Sequence, residues 1–165
     1  MHHTKNTTNN IKPFPQHIAE KLREQNLTIG VAESCTGGYI AHLITSLAGS
    51  SEYFKGGIVA YSNEMKINIL QVEEQVIDRY GAVSKEVVEQ MARNLLRIMN
   101  VDFSIAVSGI AGPGGGSIEK PVGTVWIAVA NKNETTAKCF SFFGDRTCVI
   151  RQASMAALDM LYCSF

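Results

Sequence analysis

The chain has no excess charge of either sign, no long apolar run and no paired cysteine motif, and each absence removes a class of function. Fifteen Lys and Arg balance fifteen Asp and Glu over 165 residues. No basic surface is therefore ready for a polyanion, and neither DNA nor RNA is expected as a partner. No stretch approaches the roughly twenty apolar residues that cross a bilayer, so no membrane association is expected. Cys35, Cys139, Cys148 and Cys163 form no C-x-x-C pair and no zinc spacing. His17 and His42 stand alone, and His2-His3 is too short for a metal tract. No metal and no cofactor are expected. Met1 to Ile11 is polar and lacks an apolar export core, so reduced thiols in a cytoplasm are expected.

What is present fits one domain. With 45% hydrophobic and 18% charged residues, the chain can bury its own core. Residues 1–12 read as a disordered tail and 13–165 as a single domain. Pro15 to Gln25 has the spacing of an amphipathic helix. Thr28 to Ala32 reads as a strand, Gly37 to Leu47 as a helix capped by Thr36, and Gly57 to Tyr61 as a second strand. Asn63 is placed as the cap of a short helix through Leu70. A polar helix follows from Glu73 to Arg79, then a long one, Lys85 to Met99, capped by Ser84. Phe103 to Val107 is the third strand. Val122 to Ala130 and Thr136 to Phe143 pair through Asn131-Lys132-Asn133-Glu134 as a hairpin. Thr147 to Leu161 closes the chain as a helix.

Helices between the first three strands require parallel, right-handed crossovers, whereas the helix-free links to the last two require antiparallel neighbours. The expected fold is therefore a three-layer α/β/α domain. Its mixed, mainly parallel sheet has five strands, the fourth antiparallel. Ligands in such folds gather at the carboxyl ends of the parallel strands, where the strand order reverses. Those ends carry Ser34-Cys35-Thr36-Gly37-Gly38, Tyr61-Ser62-Asn63-Glu64-Met65-Lys66 and the loop Ser108-Gly109-Ile110-Ala111-Gly112-Pro113-Gly114-Gly115-Gly116.

Lys66 breaks a local rule. In the first turn of a helix a cation is disfavoured by about 0.3 to 1 kcal/mol. The same field, with any desolvation, lowers the lysine pKa toward the neutral amine that a general base needs. The plainer alternative is a solvated surface lysine. Ser34 either bonds nearby backbone or, with Lys66 as base, acts as the nucleophile of an amide hydrolysis, helix N–H groups near Gly37 and Gly38 holding the oxyanion. Cys35 competes for that role, because a thiol near a helix start ionises readily. No histidine-based triad is visible. Tyr61 is placed to relay a proton or orient substrate, or else caps the core.

The glycine loop has neither the Lys-Ser/Thr of a phosphate-binding P-loop nor a following helix, so it is not a dinucleotide fingerprint. It is either a flexible turn or a place where backbone N–H groups approach a ligand. Arg146 offers a fork to a phosphate or carboxylate, or else a salt bridge to Asp145 or a glutamate.

Together, Ala32-Glu33-Ser34-Cys35-Thr36-Gly37-Gly38, Gly57-Ile58-Val59-Ala60-Tyr61-Ser62-Asn63-Glu64 with Lys66, Gly81-Ala82-Val83-Ser84, Ser108 to Gly115, Lys120-Pro121-Val122-Gly123 and Gly144-Asp145-Arg146 resemble the C-terminal domain of the competence/damage-inducible protein CinA. The resemblance covers about Phe14 to Leu161. Standalone members of that family are nicotinamide-nucleotide amidohydrolases. The resemblance implies hydrolysis of the carboxamide of nicotinamide mononucleotide to nicotinate mononucleotide and ammonia, a step of pyridine-nucleotide recycling.

The resemblance also implies Ser34 as nucleophile, Tyr61 and Lys66 as its helpers, and Arg146 on the phosphate side. Cys35, Thr36, Gly37, Gly38, Ser108, Gly109, Gly112, Gly114 and Gly115 would line the substrate pocket, and the domain would form a homo-oligomer. The amino-terminal domain of the long family members has no counterpart here, so their pyrophosphatase activity is not carried over. Trp126 stands where a smaller aromatic is expected and is assigned to packing. A non-catalytic nucleotide-binding module, or an amidase for another small amide, remain the alternatives.

Overall fold

Strand and helix periods alternate along the chain, and the computed structural model, which describes residues 14–165, shows how they stack. The chain runs α1 (Phe14–Glu24), β1 (Ile29–Glu33), α2 (Tyr39–Thr45), a short 3-10 turn (Ser50–Glu52), β2 (Phe54–Val59), α3 (Asn63–Asn68), α4 (Glu74–Tyr80), α5 (Lys85–Met99), β3 (Phe103–Gly109), β4 (Thr124–Asn131), β5 (Thr135–Ser141) and α6 (Arg146–Tyr162). The assigned amino-terminal tail lies outside the described residues.

One sheet has the order β2-β1-β3-β4-β5. β1 is parallel to β2 and β3, while β4 runs antiparallel to β3 and β5. This is the expected mixed α/β/α sandwich with its fourth strand reversed. One core packs Ile18, Leu22, Ile40, Ile44, Val149, Ala153 and Leu161 of α1, α2 and α6 against Ile29, Val31, Ile105, Val107, Ile127 and Val129. The other packs Leu70, Ile77, Val88, Met91 and Leu95 against Ala32, Ala106 and Ala128. Small side chains on that second face let α5 lie close to the strands. Among the described residues, no helix is long and apolar enough to cross a membrane.

Several boundaries differ from those expected, each for a local reason. Ser62 rather than Asn63 caps α3, its Oγ accepting from Met65 N at 3.1 Å. β2 begins three residues earlier and ends at Val59. Its Lys55, Gly56 and Gly57 suit a sheet edge, where an apolar pattern is not required. β4 starts at Thr124 rather than Val122. Gly123 has φ +94°, outside the extended region, so the regular strand begins after it, and a Cβ there would collide with the Phe142 carbonyl. Thr36 does not cap α2, because Gly38 (φ 98°) occupies that position and its missing side chain bonds nothing.

Candidate active site

β1 has β2 on one side and β3 on the other, so the chain leaves its carboxyl end at the point where the sheet order reverses, the usual position for a ligand crevice. The turn beyond β1 is pinned on both sides. Ser34 N donates to Val107 O at 3.0 Å, and Ala60 N donates to Glu33 O at 2.8 Å. These bonds hold the Ser34 backbone in place before any side chain is considered.

Ser34 is 7% exposed, and beside it lies Lys66, 2% exposed. Lys66 Nζ is 3.1 Å from Ser34 Oγ and 2.9 Å from Ala60 O. No carboxylate is paired with this amine among the described residues. Burial holds its pKa below the usual 10.5, opposed only by the nearby Cys35. Desolvation, rather than the helix dipole, is therefore what lowers it. Nζ donates to Ala60 O and to Ser34 Oγ, and once it has lost its proton its lone pair lies within reach of the Ser34 hydroxyl proton.

Cys35 behaves differently from its sequence expectation. Burial pushes its thiol up to about 12, against the lowering effects of its own N–H and of Lys66. A helix start ionises a thiol only if its N–H groups are free to face the sulfur. Here most of them are taken, and the Cys35 N–H that does face the sulfur is outweighed by burial. Glu33 Oε2 accepts from Gly38 N and Ile40 N at 3.0 Å each, and Glu33 Oε1 from Ala41 N at 2.8 Å. Gly37 N donates to Ser34 O at 3.0 Å. The Gly37 and Gly38 amides expected for the oxyanion are thus occupied. Those of Cys35 and Thr36 have no backbone or carboxylate acceptor among the described residues.

A cleft of about 290 Å³ opens over Ser34 and Cys35, walled by Tyr61, Arg146 and Gly109 to Gly112 with Gly114 and Gly115. This lies near the lower end of the about 300 to 1,000 Å³ typical of small-molecule sites. Arg146 spans it, with Nη1 donating to Gly112 O at 2.7 Å and Nη2 to Tyr61 Oη at 2.6 Å. Asp145 does not pair with Arg146; it caps α6 by accepting from Cys148 N at 2.8 Å. Tyr61 is 59% exposed, and its hydroxyl is bonded to Arg146 rather than to Ser34 or Lys66.

Ser34, Cys35, Tyr61, Gly109, Gly112, Gly114, Gly115 and Arg146 therefore converge, with Lys66 beneath them. Thr36, Gly37 and Gly38 instead line an adjoining groove with His42 and Ile150. Ser108 is turned to the other face of the sheet, where its hydroxyl donates to Ala82 O at 2.7 Å. That bond, made by a buried side chain, takes Ser108 out of the pocket. Sequence reasoning assigned no role to Glu33 or to the Ala60 carbonyl. A carboxylate ending an otherwise apolar, fully buried strand was a usable signal for Glu33. A backbone carbonyl carries no sequence signal.

Among known proteins, the pattern of the CinA C-terminal domain matches residues 11–165. A nicotinamide-nucleotide amidohydrolase PncC of Escherichia coli is 44% identical over 162 residues, 96% of this chain and 97% of that protein. A CinA-like protein of Fervidobacterium nodosum is 48% identical over 144 residues, 87% of this chain, but the match spans only 35% of that longer protein. The crystal structure of the competence/damage inducible protein CihA from Agrobacterium tumefaciens superposes with a TM-score of 0.89 at 36% identity, covering 97% of this chain and 98% of that one.

Proposed function

Because the chain belongs to the CinA C-terminal domain family, we propose that it is a nicotinamide-nucleotide amidohydrolase, converting nicotinamide mononucleotide to nicotinate mononucleotide and ammonia. The observation that carries this reading is the buried, carboxylate-free Lys66 amine 3.1 Å from Ser34 Oγ. That pair suits a nucleophile and its base in acyl transfer. The full-length likeness to the E. coli enzyme supports the substrate.

Neutral Lys66 takes the Ser34 hydroxyl proton as Oγ bonds to the carboxamide carbon. The carbonyl oxygen becomes an oxyanion, held by the Cys35 and Thr36 amides. Lys66 then returns its proton to the amide nitrogen, the C–N bond breaks, and ammonia leaves. Water, deprotonated by Lys66, attacks the acyl ester, releasing the carboxylate and restoring Ser34. Arg146 exchanges Gly112 and Tyr61 for the substrate phosphate, and Tyr61 walls and orients the ribotide. Residues 13–165 act as one domain in a homo-oligomer, a reading to which the exposed Phe143 and Ile118 lend support. The four free cysteines fit a cytoplasmic enzyme.

Ammonia release by purified protein on nicotinamide mononucleotide, its riboside and free nicotinamide tests the reading. Turnover of the mononucleotide well above the other two is expected. Tight binding without ammonia would make the domain a sensor, and equal turnover of the riboside would remove the phosphate role of Arg146.

A further inference from the structure

β1 is buried along its whole length, and its last residue is a glutamate only 1% exposed. A carboxylate at that depth needs strong partners, yet no cation is paired with it among the described residues. Its partners are the Gly38, Ile40 and Ala41 amides at 3.0, 3.0 and 2.8 Å. The bonds reach five, seven and eight residues ahead, so they tie the end of β1 directly to the first turn of α2. Everything between, Ser34 to Gly37, is a closed loop with both ends anchored.

Two consequences follow for the chemistry. The Gly38 to Ala41 amides, which would otherwise draw any anion to the helix start, are occupied, so neither a phosphate nor an oxyanion can settle there. Next in the chain after Ser34, the Cys35 and Thr36 amides have no backbone or carboxylate acceptor among the described residues. We propose that Glu33 is the positioning residue of the deamidation. By occupying the start of α2 it leaves the Cys35 and Thr36 amides as the oxyanion donors and aims them at the carbon that Ser34 attacks. Glu33 touches no reacting atom and acts through the turn. The inference rests on the amidohydrolase reading above.

A residue that only capped α2 would affect stability. One that positions oxyanion donors affects the transition state more than the bound substrate. Glu33→Gln keeps the shape but sets an NH2 group against one of the amide donors. With nicotinamide mononucleotide, kcat of this variant is expected to fall by about tenfold to a hundredfold. KM and the inhibition constant of nicotinate mononucleotide should stay within about threefold.

Ala41→Pro provides a second variant should Glu33→Gln fail to fold. It deletes the N–H that Glu33 Oε1 accepts, within a first helical turn that tolerates proline better than the interior. A smaller loss of kcat at unchanged KM is expected. Unchanged kcat with a lowered melting temperature in either folded variant reduces Glu33 to a cap and overturns the proposal. Wild-type protein inert toward the mononucleotide overturns both the proposal and the function it rests on. Active wild type with an unimpaired variant overturns the role of Glu33 alone.

Discussion

At the buried end, beneath the cleft, Lys66 is 2% exposed and among the described residues bonds only neutral oxygens; at the open end, Tyr61 is 59% exposed and shares Arg146 with the glycine loop. The first end is dry, and burial there shifts proton affinity: the lysine is held below its ordinary pKa, and Cys35 is pushed up to about 12. The second end is wet. Its guanidinium fork is available for exchange with a ligand anion. One end makes a reactive group by withdrawing water, while the other makes a recognition group by leaving water in place.

The largest expected effect is at the dry end. Ser34→Ala and Lys66→Met should each lower kcat by about a thousandfold or more, since they remove the nucleophile and its base. Lys66→Met should at the same time raise the melting temperature, because a buried amine with no counter-charge is costly to fold. The sign of the pH dependence follows from the same burial. The folded-state pKa of Lys66 lies below its ordinary 10.5, so the unfolded chain binds more protons between the two values. Stability attributable to this site therefore rises with pH across that window. Activity should rise with pH as Lys66 loses its proton, and calorimetry alongside pH–rate profiles checks both. A Lys66→Met protein that is less stable and retains ammonia release would abolish the contrast between the two ends.

Arg146→Ala comes next. Loss of a charged hydrogen-bonding group is expected to raise KM by about tenfold to a hundredfold and to change kcat much less. Added salt should raise the wild-type KM, because this end is exposed to screening. A kcat loss equal to that of Lys66→Met would mean that Arg146 belongs with the chemistry. The smallest effect is expected for Cys35→Ala, with kcat within about threefold of wild type, since its buried thiol is poorly ionised. Retained activity in Ser34→Ala together with its loss in Cys35→Ala would reverse the nucleophile assignment.

Legibility followed the same division. Ser84 and the stripe Val88, Met91, Ala92 and Leu95 announced α5 to the residue, because a cap and a helical period are local features. The strand cores were equally legible, and their ends shifted by one to three residues wherever glycines or an edge relaxed the pattern. Within the site, Ser34, Tyr61, Lys66 and the glycine loop were readable as polar groups at the ends of strands. Ser108 was not separable from its neighbours, since the alternation along β3 decides which side of the sheet its hydroxyl takes. The carboxylate of Glu33 was hidden by distance, because capping rules look one to three residues back from a helix and this cap reaches from the preceding strand.

By itself the sequence determined the order of elements, the three-layer architecture and the set of polar groups at one edge of the sheet, because hydrophobic period and turn chemistry depend on near neighbours. Only the tertiary structure decided that Lys66 is buried against Ser34, that Cys35 stays a thiol, that Glu33 occupies the start of α2 and that Arg146 reaches Tyr61. Water exclusion and hydrogen-bond partnership at each of these groups depend on how distant segments pack around it, which no local pattern encodes.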